Sequence, residues 1–346
     1  MNTYIAVATK ARAMYGECLT NEDFANLMNK KTVAEIFAYL KANSSYKRFF
    51  KDLSETDVHR GEIEKLLWKE ISDEYKRIQN FVDDSKSQVL QFWFARHEVD
   101  FLKHSIRNIY NHENAMYRFG GNDEFDEFFK KHTMIDVEMC KNATCLSDFA
   151  KACERTVYAE TLNRAESVNA DYFSIAMSLD GLFYKLLWGS ADKYLSGNEK
   201  KLFEDFVGTD VDMLNIMWIY RSKKYFKFDN KIIYTYLLPV KYKLNDALLT
   251  SMVEAQDPEN IPKLLENTKY KDLFDGVEDG YFIEENYRRK RYKINKKIFR
   301  TNPETIAGLF AYLGLKELEI LNITRIIEGI RYDINPELIK KHLGIV

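Results

Sequence analysis

The sequence predicts an all-α protein, and three observations indicate this fold class. A nine-residue pattern with apolar residues at helical spacing occurs three times along the chain. All five prolines fall at or after Pro239, so the residue type that breaks helix interiors is absent from the first 238 positions. Clusters of glycine, asparagine and aspartate separate the apolar stretches. Together these features favour long helices joined by short turns.

The nine-residue pattern sets the period of an internal repeat. Each copy reads acid, apolar, acid, apolar, leucine and a polar residue, followed by apolar residues at helical spacing. The copies are EVDFLKHSI from Glu98, DVDMLNIMW from Asp210 and ELEILNITR from Glu317. Their second acids, which are 112 and 107 residues apart, are Asp100, Asp212 and Glu319.

A second, weaker pattern lies upstream and keeps nearly the same interval. Its copies are KTVAEIFAYLKANSSY, ATCLSDFAKACERTVY and DPENIPKLLENTKY, with apolar anchors at Ile36, Phe149 and Ile261. These anchors are 113 and 112 residues apart. Two patterns in the same order at the same period indicate three copies of one unit of about 115 residues.

The repeat predicts three structurally similar helical modules at residues 1–118, 119–229 and 230–346. The boundaries fall at the Gly120–Gly121 turn and near residues 228–231. The chain termini are able to complete one another's modules. Because the sequence has no linker rich in serine, glycine or proline, we expect the modules to pack against one another.

The nine-residue pattern itself predicts a central helix in each module. Val99, Leu102 and Ile106 recur at i, i+3 and i+7, which places them on one helical face. The second and third copies carry a further apolar stripe, as at Ile320 and Ile323. A helix with two apolar stripes is buried on most of its sides.

Two segments predict where helices begin. Thr20 with Asp23 three residues later approaches a capping box. Pro303, after Thr301 and Asn302, predicts a helix that starts there, because proline suits the first helical turn. The segments FGGND, LSGNE and FDGVEDG are typical of turns.

The bulk composition excludes several protein classes. The chain of 346 residues is 46% hydrophobic and 14% aromatic, which excludes disorder, and its net charge of −2 gives no general attraction to nucleic acid. Four cysteines without a CxxC element indicate free thiols in a reducing compartment. No signal peptide or membrane-length apolar run is present. We therefore expect a soluble, cytoplasmic protein.

No metal-binding or catalytic constellation is predicted. His97, His104 and His112 nearly share a helical face, but about 10 Å of rise separates neighbours, which is too far for one metal ion. Asp100 and His104 make a single i, i+4 pair, and two ligands do not form a site. Since GxxxxGK[ST], GxGxxG and HExxH are all absent, no catalytic, cofactor-binding or metal-binding residue is assigned.

The repeated acid pairs are open to a catalytic and a structural interpretation. Acids two residues apart point about 200° apart on a helix and cannot share a proton, so the structural interpretation is favoured. We expect these acids in first helical turns, where the helix dipole favours them. Asn215 and Asn322, which follow the acids, predict hydrogen bonds to a neighbouring helix, while the first copy has Lys103 at this position.

The basic run from Arg288 to Arg300 is the one strong charge feature. It holds eight lysines or arginines and no acid. Its simpler interpretation is a solvated helix face, and its functional interpretation is contact with an acidic protein or anionic head groups. Nucleic acid is a less suitable partner because the rest of the chain is acidic.

With both repeats assigned, the chain resembles the C subunit of prokaryotic V-type (A-type) ATPases, the family that includes the d subunit of eukaryotic V-ATPases. The resemblance extends nearly end to end. Its carriers are YIAVATKARAMYGECLTNEDFANLM, the FGG turn, DVDMLNIMWIYRSKKYF and the C-terminal AYLGLKELEILNITRIIEGIRYDINPELIKKHL. The main departures are Lys103, where a small polar residue is usual, and Phe119, where the turn is often Pro-Gly-Gly.

The resemblance implies a non-catalytic subunit in the central stalk of a rotary ATPase. Its three modules would form a funnel on the cytoplasmic face of the proteolipid ring, with the shaft of the D and F subunits in the cavity. It would transmit torque for proton or sodium transport, and the membrane stator subunit would be a further contact. No cofactor, nucleic acid or small-molecule substrate is implied. A helical scaffold for amphipathic helices or acidic proteins is the alternative, and an all-α enzyme is a distant third.

Overall fold

The long apolar repeats of the sequence fold as helices throughout the part of the chain that the structure describes. The structure, a computed structural model, describes residues 3–51, 60–110, 129–276 and 283–343. Every regular element in these ranges is helical and none is a strand, which confirms the all-α prediction. The Gly120–Gly121 turn, Phe119 and His112 lie outside the described residues.

The helices vary widely in length. In chain order the main α-helices are α1 (Thr3–Tyr15), α2 (Asn21–Met28), α3 (Val33–Asn43), α4 (Arg60–Gln79), α5 (Asp84–Tyr110), α6 (Val137–Lys141), α7 (Leu146–Ala152), α8 (Ala159–Ser167), α9 (Tyr172–Tyr194), α10 (Gly197–Arg221), α11 (Asn230–Thr235), α12 (Asp246–Glu254), α13 (Ile261–Leu265), α14 (Ile283–Thr301), α15 (Ile306–Arg331) and α16 (Pro336–His342). Short 3₁₀ turns cover Ser45–Arg48, Pro258–Asn260 and Lys271–Phe274, and a π-helical turn over Ser222–Phe226 extends α10.

The three copies of the nine-residue pattern lie in α5, α10 and α15, which contain 27, 25 and 26 residues. This confirms that each pattern belongs to a long helix. In α15 the burial extends around most of the helix, since both apolar stripes and the small residues between them are shielded from solvent. The acids are in helix interiors, so the expectation that they occupy first turns is wrong.

The predicted helix starts have different outcomes. Thr20 caps α2, with its hydroxyl accepting from the Asp23 amide at 3.2 Å and the Asp23 carboxylate accepting from the Thr20 amide at 2.7 Å, so the capping box is confirmed. The start at Pro303 is wrong. Thr305 caps α15 instead, because its hydroxyl accepts the Gly308 amide at 3.1 Å.

The chain divides into two units. Unit 1 comprises Met1–Leu90, Tyr117–Thr133 and Tyr292–Val346, and unit 2 comprises Gln91–Met116 and Met134–Arg291. Within unit 1, α15 packs against α1, α2, α3 and α4. Within unit 2, α9 packs against α8 and α10, and α10 also contacts α12. The division into three modules stays a prediction.

The apolar helices are too short or too polar to cross a bilayer: among the described residues, no helix qualifies as a membrane span. All four cysteines are free, as predicted. Cys140 and Cys153 are buried, Cys18 is half-buried and Cys145 is exposed.

Candidate functional site

Three tyrosine–acid contacts join the two repeated patterns. The hydroxyl of Tyr46 donates to Oε1 of Glu319 at 2.6 Å, and that of Tyr158 donates to Oε2 of Glu98 at 2.8 Å. The hydroxyl of Tyr270 donates to Oδ2 of Asp212 at 2.5 Å. Each tyrosine is the last residue of an upstream copy, and each acid belongs to a nine-residue copy. The repeated acids therefore act as hydrogen-bond acceptors for the repeated tyrosines.

A hydroxyl two residues before each tyrosine accepts the amide N–H of that tyrosine. The hydroxyls of Ser44, Thr156 and Thr268 accept the amide N–H two residues later at 3.3, 3.1 and 3.1 Å. This short turn uses a hydroxyl to satisfy a backbone donor that a helix would otherwise take. The same hydroxyl-to-amide hydrogen bond therefore precedes the tyrosine in all three copies.

The pairing order shifts by one copy. The second and third upstream copies bond to acids of the first and second nine-residue copies, within unit 2. The first upstream copy bonds instead to Glu319 of the third, within unit 1. An N-terminal segment thus completes its set of contacts with a C-terminal helix.

Asp212 gathers several donors in the interior of unit 2. Besides Tyr270, its Oδ2 accepts the amides of Lys243 at 2.8 Å and Leu244 at 3.2 Å. Burial raises the pKa of this carboxyl, and the hydrogen bonds oppose that rise. One acid in α10 therefore holds two separate chain segments.

Glu319 has the corresponding role in unit 1. Its Oε2 accepts the amide of Leu19 at 2.7 Å while Oε1 accepts from Tyr46. Leu19 immediately precedes the cap of α2, just as Leu244 precedes the cap of α12. The same type of attachment thus occurs in both units.

A fully buried lysine lies beside Glu319. The ammonium group of Lys316, which has no solvent exposure, donates to Oε1 of Glu319 at 2.8 Å and is 3.7 Å from Oε1 of Glu70. It also lies 4.5 Å from the ring centroid of Tyr46. Burial alone would lower the pKa of Lys316, but Glu319 and Glu70 outweigh it and hold the pKa well above its ordinary value. This lysine is therefore charged inside the core.

A second glutamate of α4 completes this buried charge cluster. Glu74 accepts from the hydroxyl of Tyr312 at 2.7 Å and is 1% exposed. Burial raises the pKa of Glu74 to about 7, against the attraction of Lys316. The carboxyl of Glu74 consequently changes charge near neutral pH, inside unit 1.

A cavity of about 570 Å³ in unit 1 borders this cluster. Its wall combines apolar and polar side chains from α1, α2, α14 and α15 and the segments between them, among them Tyr15, Cys18, Tyr292, Leu318 and Glu319. Burial raises the pKa of the Cys18 thiol well above its usual range, so the thiol is protonated and is not an activated nucleophile.

Unit 2 carries a charge network between α5 and α9. The guanidinium of Arg96 lies 3.5 Å from Asp100 and 3.2 Å from Asp180, and Lys103 is 2.7 Å from Asp180. Asp100 therefore pairs with Arg96. Lys103, at the position where the other two copies have asparagine, makes an ion pair with Asp180 of α9.

His97 is buried with its ring 4.6 Å from the ring of Trp93.

The asparagine prediction is corrected for Asn215. Its Oδ1 accepts the backbone amide of Leu238 at 2.8 Å, and Leu238 lies in a loop after α11. The predicted partner, a neighbouring helix, is wrong because the loop presents an unpaired amide beside α10. Asn322 is fully buried.

The basic run divides into an internally paired part and an exposed part. Arg288 is 2.8 Å from Glu285, Arg291 is 3.5 Å from Asp210, and Lys290 pairs with Asp272. Asp210 also accepts from the Tyr287 hydroxyl at 2.8 Å. The exposed part is Lys293, Lys296, Lys297 and Arg300, whose i, i+3, i+4, i+7 spacing gives one helix face.

We define these four residues as the basic face of α14. Among the residues described, none of the four has a carboxylate within ion-pair distance. Lys296 contributes to the wall of the cavity in unit 1. The basic face is thus the part of the run that is available to a partner.

In the described ranges, no group of three histidine, cysteine, aspartate or glutamate side chains is arranged to hold a metal ion. One acid of each predicted pair, namely Glu98, Asp212 or Glu319, accepts a tyrosine hydroxyl. Sequence reasoning missed the tyrosines themselves and Lys316. A signal existed for the tyrosines, because Tyr46, Tyr158 and Tyr270 are spaced by 112 residues in both intervals.

Comparison with known proteins gives a consistent result along the whole chain. The family model described as ATP synthase (C/AC39) subunit matches residues 7–342. Relatives that carry the name of the C subunit of A-type ATP synthase include that of Pyrococcus horikoshii, 24% identical over 97% of this chain and 88% of the relative. The protein of Methanosarcina mazei is 23% identical over 100% of this chain and 94% of its own, and that of Methanosphaera stadtmanae is 21% identical over 91% and 80%.

Proposed function

The chain belongs to the ATP synthase (C/AC39) subunit family, and from this premise we propose that it is a non-catalytic coupling subunit in the central stalk of a rotary ATPase. In this role it joins the D–F shaft to the membrane proteolipid ring and carries torque for ATP-linked proton or sodium transport. It works on the cytoplasmic side, peripheral to the membrane, with the stator subunit as a further contact. The names of the relatives support a role in such a complex.

The tyrosine–acid contacts are the observation that carries the mechanical part of the proposal. A subunit that transmits torque needs elements that do not slide past one another under load. Each contact attaches a copy of the weaker pattern, through its final tyrosine, to an acid in the interior of a long helix. Hydrogen bonds to a carboxylate are stronger than those between neutral groups. Close-packed interiors have low compressibility and transmit strain. The same device occurs once in unit 1 and twice in unit 2.

The cavity of unit 1 and the basic face of α14 are the proposed contact region for the shaft. The cavity offers both apolar walls and polar groups, including Leu315, Leu318 and Lys296. Interfaces of this mixed type are strong enough to be specific and remain separable. The exposed cations beside it would attract an acidic surface and speed association at low salt.

Calorimetric titration of the purified chain with a purified D–F pair from the same source tests the proposal. We expect one-to-one binding that weakens as salt is raised. The charge-reversed variant Lys293→Glu/Lys297→Glu should bind at least tenfold more weakly. Lys185→Glu/Lys193→Glu, two exposed lysines of α9, is the matched control and should bind as wild type.

The outcomes separate the candidate functions. Absence of shaft binding, together with binding of unrelated amphipathic helices, would replace the coupling role with the scaffold alternative. Equal shaft binding by both charge-reversed variants would leave the coupling role in place and remove the basic face from it. Turnover of a substrate by the pure chain would contradict the non-catalytic assignment.

A further inference from the structure

The two long helices α10 and α15 are each followed by a residue with a left-handed backbone conformation. The π turn after α10 leads to Lys227, which has a left-handed φ of +51°, and the turn after α15 leads to Asp333, also at +51°. The residue before each is an exposed aromatic, Phe226 at 46% and Tyr332 at 68% exposure. The two sites are 106 residues apart, close to the interval of the nine-residue repeat.

The short helices that follow are also equivalent. Asp229 caps α11 by accepting the Lys231 amide at 3.3 Å, and Asn335 caps α16 by accepting the Glu337 amide at 2.9 Å. Three residues after each cap an aliphatic side chain is exposed, Ile232 at 41% and Leu338 at 46%.

The next residue of each short helix points inward. Ile233 is fully buried and Ile339 is 4% exposed. In α16 the side chain of Ile339 lies so close to Gly329 that a Cβ there would be 2.3 Å from Cδ1. One buried isoleucine therefore anchors each short helix and leaves the preceding aliphatic residue facing water.

We call the pair Phe226 and Ile232 the unit 2 tip, and the pair Tyr332 and Leu338 the unit 1 tip. The ring of Phe226 stacks on that of Phe228 at a centroid distance of 5.3 Å and still keeps 46% of its surface exposed, while the buried isoleucines already fix the short helices. Single exposed apolar residues are common. Here, an aromatic and an aliphatic residue are exposed at the same positions of two repeats. This recurrence indicates that the four side chains contact a binding surface.

The charges around the tips indicate the nature of that surface. The unit 2 tip is surrounded in sequence by four lysines and one acid, and one of these lysines, Lys224, is paired with Glu259 at 2.7 Å. The other charged residues are Lys223, Lys227, Lys231 and Asp229. Lys227 and Lys231 are exposed, and among the described residues neither is in an ion pair. The unit 1 tip has Arg331, Lys340 and Lys341 against Asp333 and Glu337. Both segments are thus net positive in a chain whose total charge is −2.

From this combination we propose that the two tips bind an anionic bilayer surface, with the aromatic and aliphatic side chains entering the head-group region and the flanking cations contacting lipid phosphates. Lysines with interleaved Phe, Tyr, Ile and Leu suit such a boundary, since it takes apolar side chains without a preformed pocket. A protein partner would have to supply the recess for these side chains itself. Within the described ranges, no tip residue lines the cavity of unit 1 or a smaller one of about 210 Å³ in unit 2. The inference rests on the proposed function only in placing the chain at a membrane.

Vesicle flotation of the full chain tests the proposal. Phosphatidylcholine vesicles are compared with vesicles containing about 30% phosphatidylglycerol, an anionic content that gives a membrane its attraction for basic segments. We expect binding to the anionic vesicles that declines with salt, and weak binding to the neutral ones. The variants Phe226→Ser/Ile232→Ser and Tyr332→Ser/Leu338→Ser should each reduce the partition coefficient by about fivefold to tenfold.

A matched control uses exposed apolar residues outside the tips. Met134→Ser/Val168→Ser removes two side chains that are 66% and 70% exposed and should float as wild type. Lys227→Gln/Lys231→Gln should lower binding to anionic vesicles and leave the weak binding to neutral vesicles unchanged. Circular dichroism and shaft calorimetry on each variant show whether it is folded.

Three results would overturn the proposal: no flotation with either vesicle, equal flotation of tip and control variants, or binding only to vesicles that contain the proteolipid ring. The last result would assign the tips to a protein contact. Loss of shaft binding with intact vesicle binding would instead contradict the proposed function alone, so the two failures are distinguishable.

Discussion

Tyr46 and Glu319 are 273 positions apart in the sequence, yet the tyrosine hydroxyl lies 2.6 Å from the glutamate oxygen. The contact is buried, and Glu319 is held at the same time by Lys316 at 2.8 Å. Because Glu319 is only 4% exposed, loss of the donor leaves a largely buried carboxyl oxygen with one partner fewer. The stability of unit 1 should therefore depend on this one hydroxyl.

Tyr46→Phe is expected to lower the free energy of unfolding by about 1–3 kcal/mol, because it leaves a buried carboxylate oxygen without one of its donors. Urea denaturation followed by circular dichroism measures the change. Tyr234→Phe is the control. Its hydroxyl contacts Glu254 at the surface at 3.1 Å, and the change there should be small. Equal midpoints for the two variants would show that the buried contact adds no stability.

Lys316→Met is expected to destabilise the protein strongly, by about 3–5 kcal/mol, because it removes the positive partner of a buried carboxylate while keeping the side-chain volume. Thermal unfolding gives the measurement, and Lys141→Met, which alters an exposed pair with Glu138, is the comparison. A melting temperature unchanged by Lys316→Met would mean that the buried contacts of Lys316 with Glu319 and Glu70 add no net stability.

Stability should fall as the pH rises from about 4.5 to about 7, through the titration of Glu74. Burial raises the folded pKa above the unfolded one, so the folded state binds more protons in this window and loses stability as they dissociate. Tyr312, Lys316 and Glu70 surround this carboxyl and remain in place in Glu74→Gln.

Glu74→Gln should therefore be more stable than wild type at pH 8, by an amount on the order of 2–3 kcal/mol, and its stability should change less between pH 5 and 7. Unfolding free energies at several pH values provide the comparison. The same pH slope in both proteins would exclude Glu74 as the titrating group.

Gly208→Ala should destabilise unit 2 by about 1–3 kcal/mol, through overpacking. A Cβ at this position would lie 2.5 Å from Cγ of Tyr242, whose hydroxyl is bonded to Asp205, so the ring must move and strain that bond. Gly189→Ala is the control in the neighbouring helix, where nothing lies within 4 Å of an added Cβ.

At Gly189 the alanine should instead stabilise by about 0.5–1 kcal/mol, since glycine is the poorer helix former. Opposite signs for the two glycine variants in the same denaturation assay are the expected result. Destabilisation of similar size at both positions would indicate a general intolerance of these helices and not a specific contact with Tyr242.

The long helices were predictable from sequence because their apolar periodicity is local information. The copies from Glu98, Asp210 and Glu317 all lie in helices of 25 residues or more. The capping box at Thr20 was predictable for the same reason, since all its atoms lie within four residues. At α15 the local rule favoured Pro303, but Thr305 gained the Gly308 hydrogen bond and set the helix start.

The contacts of the acids were not predictable, because they depend on which distant segments meet. Helix geometry excluded a shared proton between Glu317 and Glu319, but it gave no information on Tyr46 or Leu19 as donors. The charge of Lys316 was equally hidden, since a lysine in an apolar helix pattern is usually solvated. One of its two carboxylate partners, Glu70, comes from α4, far away in the chain, while the other, Glu319, lies on the same helix.

The contact between Tyr46 and Glu319 also affects the order in which parts of the chain can fold during synthesis. Unit 2 ends at Arg291, so all its residues are synthesised before α15 is made. The N-terminal part of unit 1 cannot complete its contacts until α15 has been made. Until then Tyr46, Glu70 and Glu74 lack Lys316 and Glu319. Although domains usually fold from the N-terminus as they are synthesised, here the first residues to emerge are among the last to reach their final positions.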